Sequence, residues 1–220
     1  MTELTVNQLR EALIRVADRI VESEGRLTEL DLMIGDGDHG ANMKTGFSVL
    51  KEALDTDDSR DMGELLKLTG ITLIRVMGGA SGVIFGTLFT SGLEQVSGKA
   101  SLTAEELVLY LEQGFHGIVK RGRSSLGSKT MLDALHPAIE GMKRRLSQTD
   151  DLCDVLAAGY EGALAGVEST RDMVSVTGRS KNFRLKSLGI PDPGAVSVSI
   201  IFEGLFRWAN LRRANSHQEG

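Results

Sequence analysis

Three aspartates, one histidine and four glycines fall within seventeen consecutive residues, Asp31 to Phe47 (DLMIGDGDHGANMKTGF), and the fold must accommodate that crowding. Asp31, Asp36 and Asp38 repel one another when brought together unless a cation stands between them. Their oxygen donors match a hard divalent ion. Gly35, Gly37, Gly40 and Gly46 permit positive φ, let a ligand approach the backbone, and free N–H groups to face an anion. Carboxylates beside open N–H groups describe a metal whose coordination is completed by phosphate.

Simpler readings exist for the same residues. An EF-hand loop beginning at Asp36 wants a bidentate Glu in twelfth place, where this chain has Phe47. An acidic solvated turn would also use Asp and Gly, and a helix cap would explain one aspartate, Asp38, but not three.

The rest of the chain reads as helices. Val6, Leu9, Leu13, Val16 and Ile20 recur at helical spacing between Thr5 and Ser23, with Glu24 and Gly25 closing that helix. Further helices are expected from about Gly40 (Met43, Phe47, Leu50 and Leu54 on one face), from Asp61 to Val76, and after the glycine-rich Met77–Gly82. Others should run from a Thr103/Glu106 capping box to Arg121, from Thr130 to Leu146, from Asp151 to Met173, and from Pro193 to Ala214. Three prolines, all beyond residue 136, and 5% aromatics agree with eight helices and no strand, an all-α bundle. Loops near 31–40, 77–82, 122–130 and 177–194 are separated by two helices each, so an up-and-down arrangement gathers them at one end.

Three of those loops carry chemistry of their own. Gly78, Gly79, Ser81 and Gly82 at a helix start form a second phosphate cradle, or else a site of close helix packing. GRSSLGSKT, Gly122 to Thr130, imitates a Walker A loop but has the wrong spacing and follows a helix, so that reading is rejected. Arg179, Lys181, Arg184 and Lys186 make the 177–194 loop basic in an acidic protein; they fit a lid over phosphates or a solvated face.

A net charge of −5 argues against nucleic-acid binding. The single Cys153 permits no intrachain disulfide and fits a reducing cytoplasm. No apolar run approaches twenty residues and no leader is evident, so neither membrane insertion nor secretion is expected.

GDGDHGANMKTGF and GGASG closely resemble the signature strings of the L subunit of dihydroxyacetone kinase, and the resemblance runs over essentially the whole chain. It implies one domain over residues 1–220, a barrel of eight antiparallel helices with the nucleotide site in loops at one end. It assigns magnesium to Asp31, Asp36 and Asp38, and ADP or ATP to His39, Gly40, Ala41, Asn42, Gly79, Ala80, Ser81 and Gly82. Gly122 and Met131 would lie near the purine, with Arg179, Asp192 and Gly194 in a loop closing over the nucleotide and Arg179 as the catalytic cation. Ser128 replaces the family's aspartate, and Ser180 to Ile190 departs from its usual string.

The implied activity is phosphoryl transfer to dihydroxyacetone or a related small ketose held on a separate K subunit. Either ADP is retained and rephosphorylated by a phosphohistidine-bearing M subunit, or ATP exchanges at each turnover. A homodimer in the cytoplasm, with no nucleic-acid or membrane partner, completes this expectation. The alternative is a nucleotide-sensing regulatory module with the same pocket.

Overall fold

The computed structural model describes residues 1–122, 124–178 and 180–216. It opens with α1 (Val6–Glu22), capped as a capping box: Gln8 N–H donates to Thr5 Oγ1 and Thr5 N–H donates to Gln8 Oε1. Its buried face is Val6, Leu9, Leu13, Val16 and Ile20, the expected stripe.

The first departure follows at once. Glu24 and Gly25 do not lead into a loop; they start α2 (Glu24–Ile34). Ser23 turns the chain, its N–H donating to the carbonyls of Arg19 and Ile20 while its own carbonyl accepts from Leu27 N–H. Asp31 therefore stands in the last turn of a helix, which fixes it more firmly than a loop would.

Then come α3 (His39–Asp55), α4 (Met62–Val76), α5 (Gly79–Thr90), the four-residue α6 (Leu93–Val96), α7 (Ala104–Gly122), α8 (Leu132–Leu146), α9 (Leu152–Ser169) and α10 (Pro193–Ser216). Asp61 caps α4 by accepting Glu64 N–H, and Asp151 caps α9 by accepting Cys153 N–H. Thr103 and Glu106 form the expected box at α7, each backbone N–H donating to the other's side chain. The eight expected helices are present, and α2 and α6 are additional.

The second departure is a pair of three-residue strands, β1 (Glu3–Thr5) and β2 (Ser101–Thr103), antiparallel with Leu4 opposite Leu102. Both leucines are buried, so this ribbon seals one edge of the core. The fold is otherwise all-α, as expected.

Packing among the long helices closes on itself. α1 packs on α3, α3 on α4, α4 on α5, α5 on α7, α7 on α8, α8 on α9, α9 on α10, and α10 returns to α1. The enclosed core is aliphatic and aromatic, with Phe89, Tyr110, Phe202 and Trp208 buried; the Tyr110 hydroxyl donates to Phe89 O at 2.8 Å. The α8–α9 seam is especially close, because a Cβ on Gly162 would stand 2.2 Å from Pro137 O and one on Gly166 would stand 2.3 Å from Asp133 O. Among the described residues, no helix is long and apolar enough to cross a membrane.

Candidate functional site

Helix α2 ends at Ile34, and Gly35 follows because nothing larger fits: an added Cβ would lie 2.1 Å from Asp31 Oδ1. Gly37 then takes φ +80, a left-handed conformation that reverses the chain between Asp36 and Asp38. The result brings carboxylate oxygens of Asp31, Asp36 and Asp38 within 4.8 Å of one another. The other Asp31 function is mechanical, since its Oδ2 accepts His39 N–H at 3.1 Å and joins the end of α2 to the start of α3. Asp38 precedes α3 without making a side-chain cap bond, so the cap reading does not apply to it.

Three hard oxygen donors so placed fit one divalent cation such as Mg2+. When bound, that ion would neutralise the charge on phosphate oxygens.

His39 is buried beside this group. Its Nε2 lies 2.8 Å from Ser197 Oγ, and the Ser197 hydroxyl donates to Pro193 O at 3.1 Å. Burial pushes the imidazole below its ordinary pKa, and the Asp31 charge works in the opposite direction. The ring is thereby locked between α3 and the first turn of α10.

The second loop meets the first. α5 begins at Gly79, φ +64, with no side-chain cap on its opening N–H groups, which stay available to an anion. A Cβ on Gly78 would lie 3.5 Å from Asn42 Oδ1, so the acidic loop and the glycine loop share a boundary.

Together they border an open cleft of about 240 Å³. Asp31, Asp36, Asp38, His39 and Asn42 line one side, Gly79, Ala80 and Ser81 the next, and Met131, Asp192 and Gly194 the far side. Asp192 is buried and accepts Ala195 N–H at 2.8 Å at the start of α10. Burial pushes its carboxyl up to about 7, against the opposing pull of the Ala195 N–H and the Lys129 charge.

An adjoining cleft of about 410 Å³ shares Ala80, Ile84, Thr130 and Met131 and adds Val83, Ile118, Leu132 and Gly122. The combined groove is thus acidic and rich in N–H groups at one end and mostly apolar at the other, where Arg121 and Ser124 also reach the wall. That polarity matches an elongated ligand with a charged tail and a flat apolar head.

Three expected site residues fall elsewhere. Gly40 is buried against α2, where a Cβ would stand 2.4 Å from Glu24 O, and Gly82 is buried against Met77 O at the same hypothetical distance, 2.4 Å. Both are packing glycines. Ala41 is exposed on α3 and does not line the cleft. Arg179 lies outside the described residues. Lys181, Arg184 and Lys186 are exposed and are not part of the cleft wall; Thr177, Gly178 and Ser180 of the same loop are. Ile84, Phe85 and Lys129 also line the cleft and carried no signal as such in the sequence, since Lys129 sits in the string set aside as an imperfect Walker loop.

The sequence profile of the DAK2 domain matches residues 33–207. The chain is 37% identical over 202 residues to the PEP-dependent dihydroxyacetone kinase, ADP-binding subunit DhaL, of Escherichia coli strain K12, covering 92% of this chain and 96% of that protein. It is 34% identical over 190 residues to the PEP-dependent dihydroxyacetone kinase 1, ADP-binding subunit DhaL, of Listeria innocua, covering 86% and 90%. The crystal structure of the dihydroxyacetone kinase from C. freundii in complex with AMP-PNP and Mg2+ superposes with a TM-score of 0.71 at 26% identity. That match takes in 90% of this chain but only 33% of that longer one.

Proposed function

The chain belongs to the DAK2 domain family, and on that premise we propose that it is the nucleotide-binding subunit of a dihydroxyacetone-type kinase. The observation that carries this reading is the joined groove, with three carboxylates within 4.8 Å at one end and a mostly apolar pocket around Met131 at the other. Asp31, Asp36 and Asp38 would hold Mg2+, which would supply neutralisation of the charge on the nucleotide's phosphates. The opening N–H groups of α5, around Gly79, Ala80 and Ser81, hold phosphate oxygens, and Asn42 stands beside them. Gly122 and Met131 receive the purine, while Asp192 and Gly194 close the far wall. His39 keeps the start of α3 in register with α10 through Ser197.

The E. coli and L. innocua relatives are named as ADP-binding subunits, and this chain is such a subunit. Its nucleotide gives up a phosphoryl group to a ketose hydroxyl held on a separate K subunit, and a phosphohistidine M subunit restores it. The E. coli and L. innocua relatives, both PEP-dependent, support that coupling over free exchange of ATP. The chain acts as one domain, pairs as a homodimer and works in the cytoplasm.

The test is to denature freshly purified, unsupplemented protein and chromatograph what it releases. About one equivalent of ADP is the expected result. An empty protein that binds Mg-ATP would replace retention by exchange, and one that binds no nucleotide would end the kinase-subunit reading.

A further inference from the structure

Lys129 is a cleft residue to which the nucleotide reading gives no task. Its side chain is only 1% exposed, and its backbone takes φ +59, a left-handed conformation uncommon for lysine. The ammonium donates to four main-chain carbonyls: Thr170 at 2.6 Å, Met173 at 3.2 Å, Ser187 at 2.8 Å and Ile190 at 2.6 Å. An ammonium has three protons. All are taken up by the backbone, so this lysine has none to offer a phosphate.

The four acceptors come from both limbs of the connection between α9 and α10. That connection is closed at its neck by further bonds. Gly189 N–H donates to Arg171 O and the Arg171 guanidinium donates to Gly189 O, each at 2.8 Å. Ser175 N–H donates to Ser187 Oγ at 3.1 Å, and Asp192 N–H to Thr170 Oγ1 at 3.0 Å. One limb runs on to Thr177, Gly178 and Ser180, the other to Asp192, Pro193 and Gly194, and both ends line the cleft.

We propose that Lys129 is a positioning residue whose ammonium clamps the neck of the 170–192 loop, so that the two cleft walls carried by its limbs keep a fixed separation. The segment over the cleft is then an anchored wall, not a lid hinged at its base. The clamp itself is independent of what the cleft binds; its effect on ligand release rests on the nucleotide reading above.

The test replaces Lys129 with Met, which keeps the length of the side chain and removes its donors. Amide hydrogen exchange over 171–190 in nucleotide-free protein should quicken at least tenfold, and bound ADP should leave at least tenfold faster. Lys129→Arg, which restores charge and donors, should recover part of both. Unchanged exchange overturns the clamp, and faster exchange with unchanged ADP release overturns its role at the site. If wild-type protein binds no nucleotide, the kinase-subunit reading falls while the exchange arm still decides the clamp. Should the Met variant fail to fold, reductive methylation of the wild-type lysines decides instead. Lys129 is expected to label far more slowly than Lys181 and Lys186, and labelling at their rate overturns the proposal.

Discussion

The acidic side of the cleft draws its three carboxylates from eight consecutive residues, Asp31 to Asp38, whereas the opposite wall is tied together by bonds from Lys129 that span 41 to 61 residues. The two also differ in charge balance. The carboxylates of the acidic side repel one another and a cation between them eases that repulsion, while the Lys129 ammonium is held by main-chain carbonyls of the protein itself. One wall therefore gains stability from its ligand, and the other is ready before the ligand arrives.

Removing one carboxylate tests this difference most severely. Asp36→Asn should weaken Mg2+-dependent nucleotide binding by more than about 100-fold, beyond the 10–100-fold that loss of an outer-shell partner costs. In EDTA the same variant should lose far less in stability than it loses in affinity, because Asn keeps the size of the side chain and one oxygen acceptor. Calorimetric titration with Mg-ATP and a thermal melt read the two effects. Unimpaired binding would take Asp36 out of the metal site, and a marked loss of stability in EDTA would mean that the acidic wall is built without reference to a cation.

Two glycines at the mouths of the two loops sharpen the contrast between packing and ligand approach. Gly40→Ala should destabilise the fold by about 1–3 kcal/mol, the usual cost of overpacking, because its Cβ would stand 2.2 Å from Thr28 Oγ1 and 2.4 Å from Glu24 O. At Gly79 nothing lies within 4 Å, so Ala there meets only the strain of φ +64, about 1–2 kcal/mol. Nucleotide affinity should nevertheless suffer more at Gly79, since its methyl group would project where the phosphates approach. Denaturant unfolding and binding on the same pair of variants separate the effects; a larger affinity loss at Gly40 would reverse the assignment.

The contrast also explains what could be read from the chain alone. The carboxylate group was legible because it is local: its residues are neighbours in sequence, and their mutual repulsion is evident before any fold is known. The long helices were legible from stripes such as Val6, Leu9, Leu13, Val16 and Ile20. α2 was not, because only Leu27 and Ile34 of its residues are buried while Leu32 and Met33 are exposed, which erases the helical period. The two strands, three residues each, are too short to show alternation. Gly40 and Gly82 read as ligand glycines because composition cannot tell a close ligand from a close helix. Lys129 was hidden for a different reason. Its string resembled a phosphate loop, and only tertiary structure turns the side chain away from the ligand and into the carbonyls of a distant segment.

Asp192 belongs to the preassembled wall and gives it a pH signature. Its carboxyl is pushed from 3.8 up to about 7 by burial, so the folded protein retains a proton that the unfolded chain releases. Stability from this group is unimpaired below the unfolded value, falls as pH rises through the window, and is at its lowest above about 7. The slope is up to about 1.4 kcal/mol per pH unit. Asp192→Asn keeps an oxygen acceptor for Ala195 N–H and cannot ionise, so its melting temperature should gain on wild type between pH 5 and pH 8. A constant difference across that range would mean that the carboxylate is charged throughout.

The smallest effect is expected where the sequence was most conspicuous. Lys181 and Lys186 stand on the exposed part of the loop held by Lys129, away from the cleft wall. Replacing both with Ala should change stability by no more than about 0.5 kcal/mol, the range for exposed positions free of special contacts. Nucleotide affinity should stay within about twofold at moderate salt, where exposed charges that make no direct contact with the ligand are screened. Titrations of the double variant at low and at moderate salt read this directly. A several-fold loss that persists at moderate salt would mean that these ammonium groups reach the phosphates at close range. The loop would then have to swing on its neck, and the distinction between a cation-dependent wall and a preassembled one would fail.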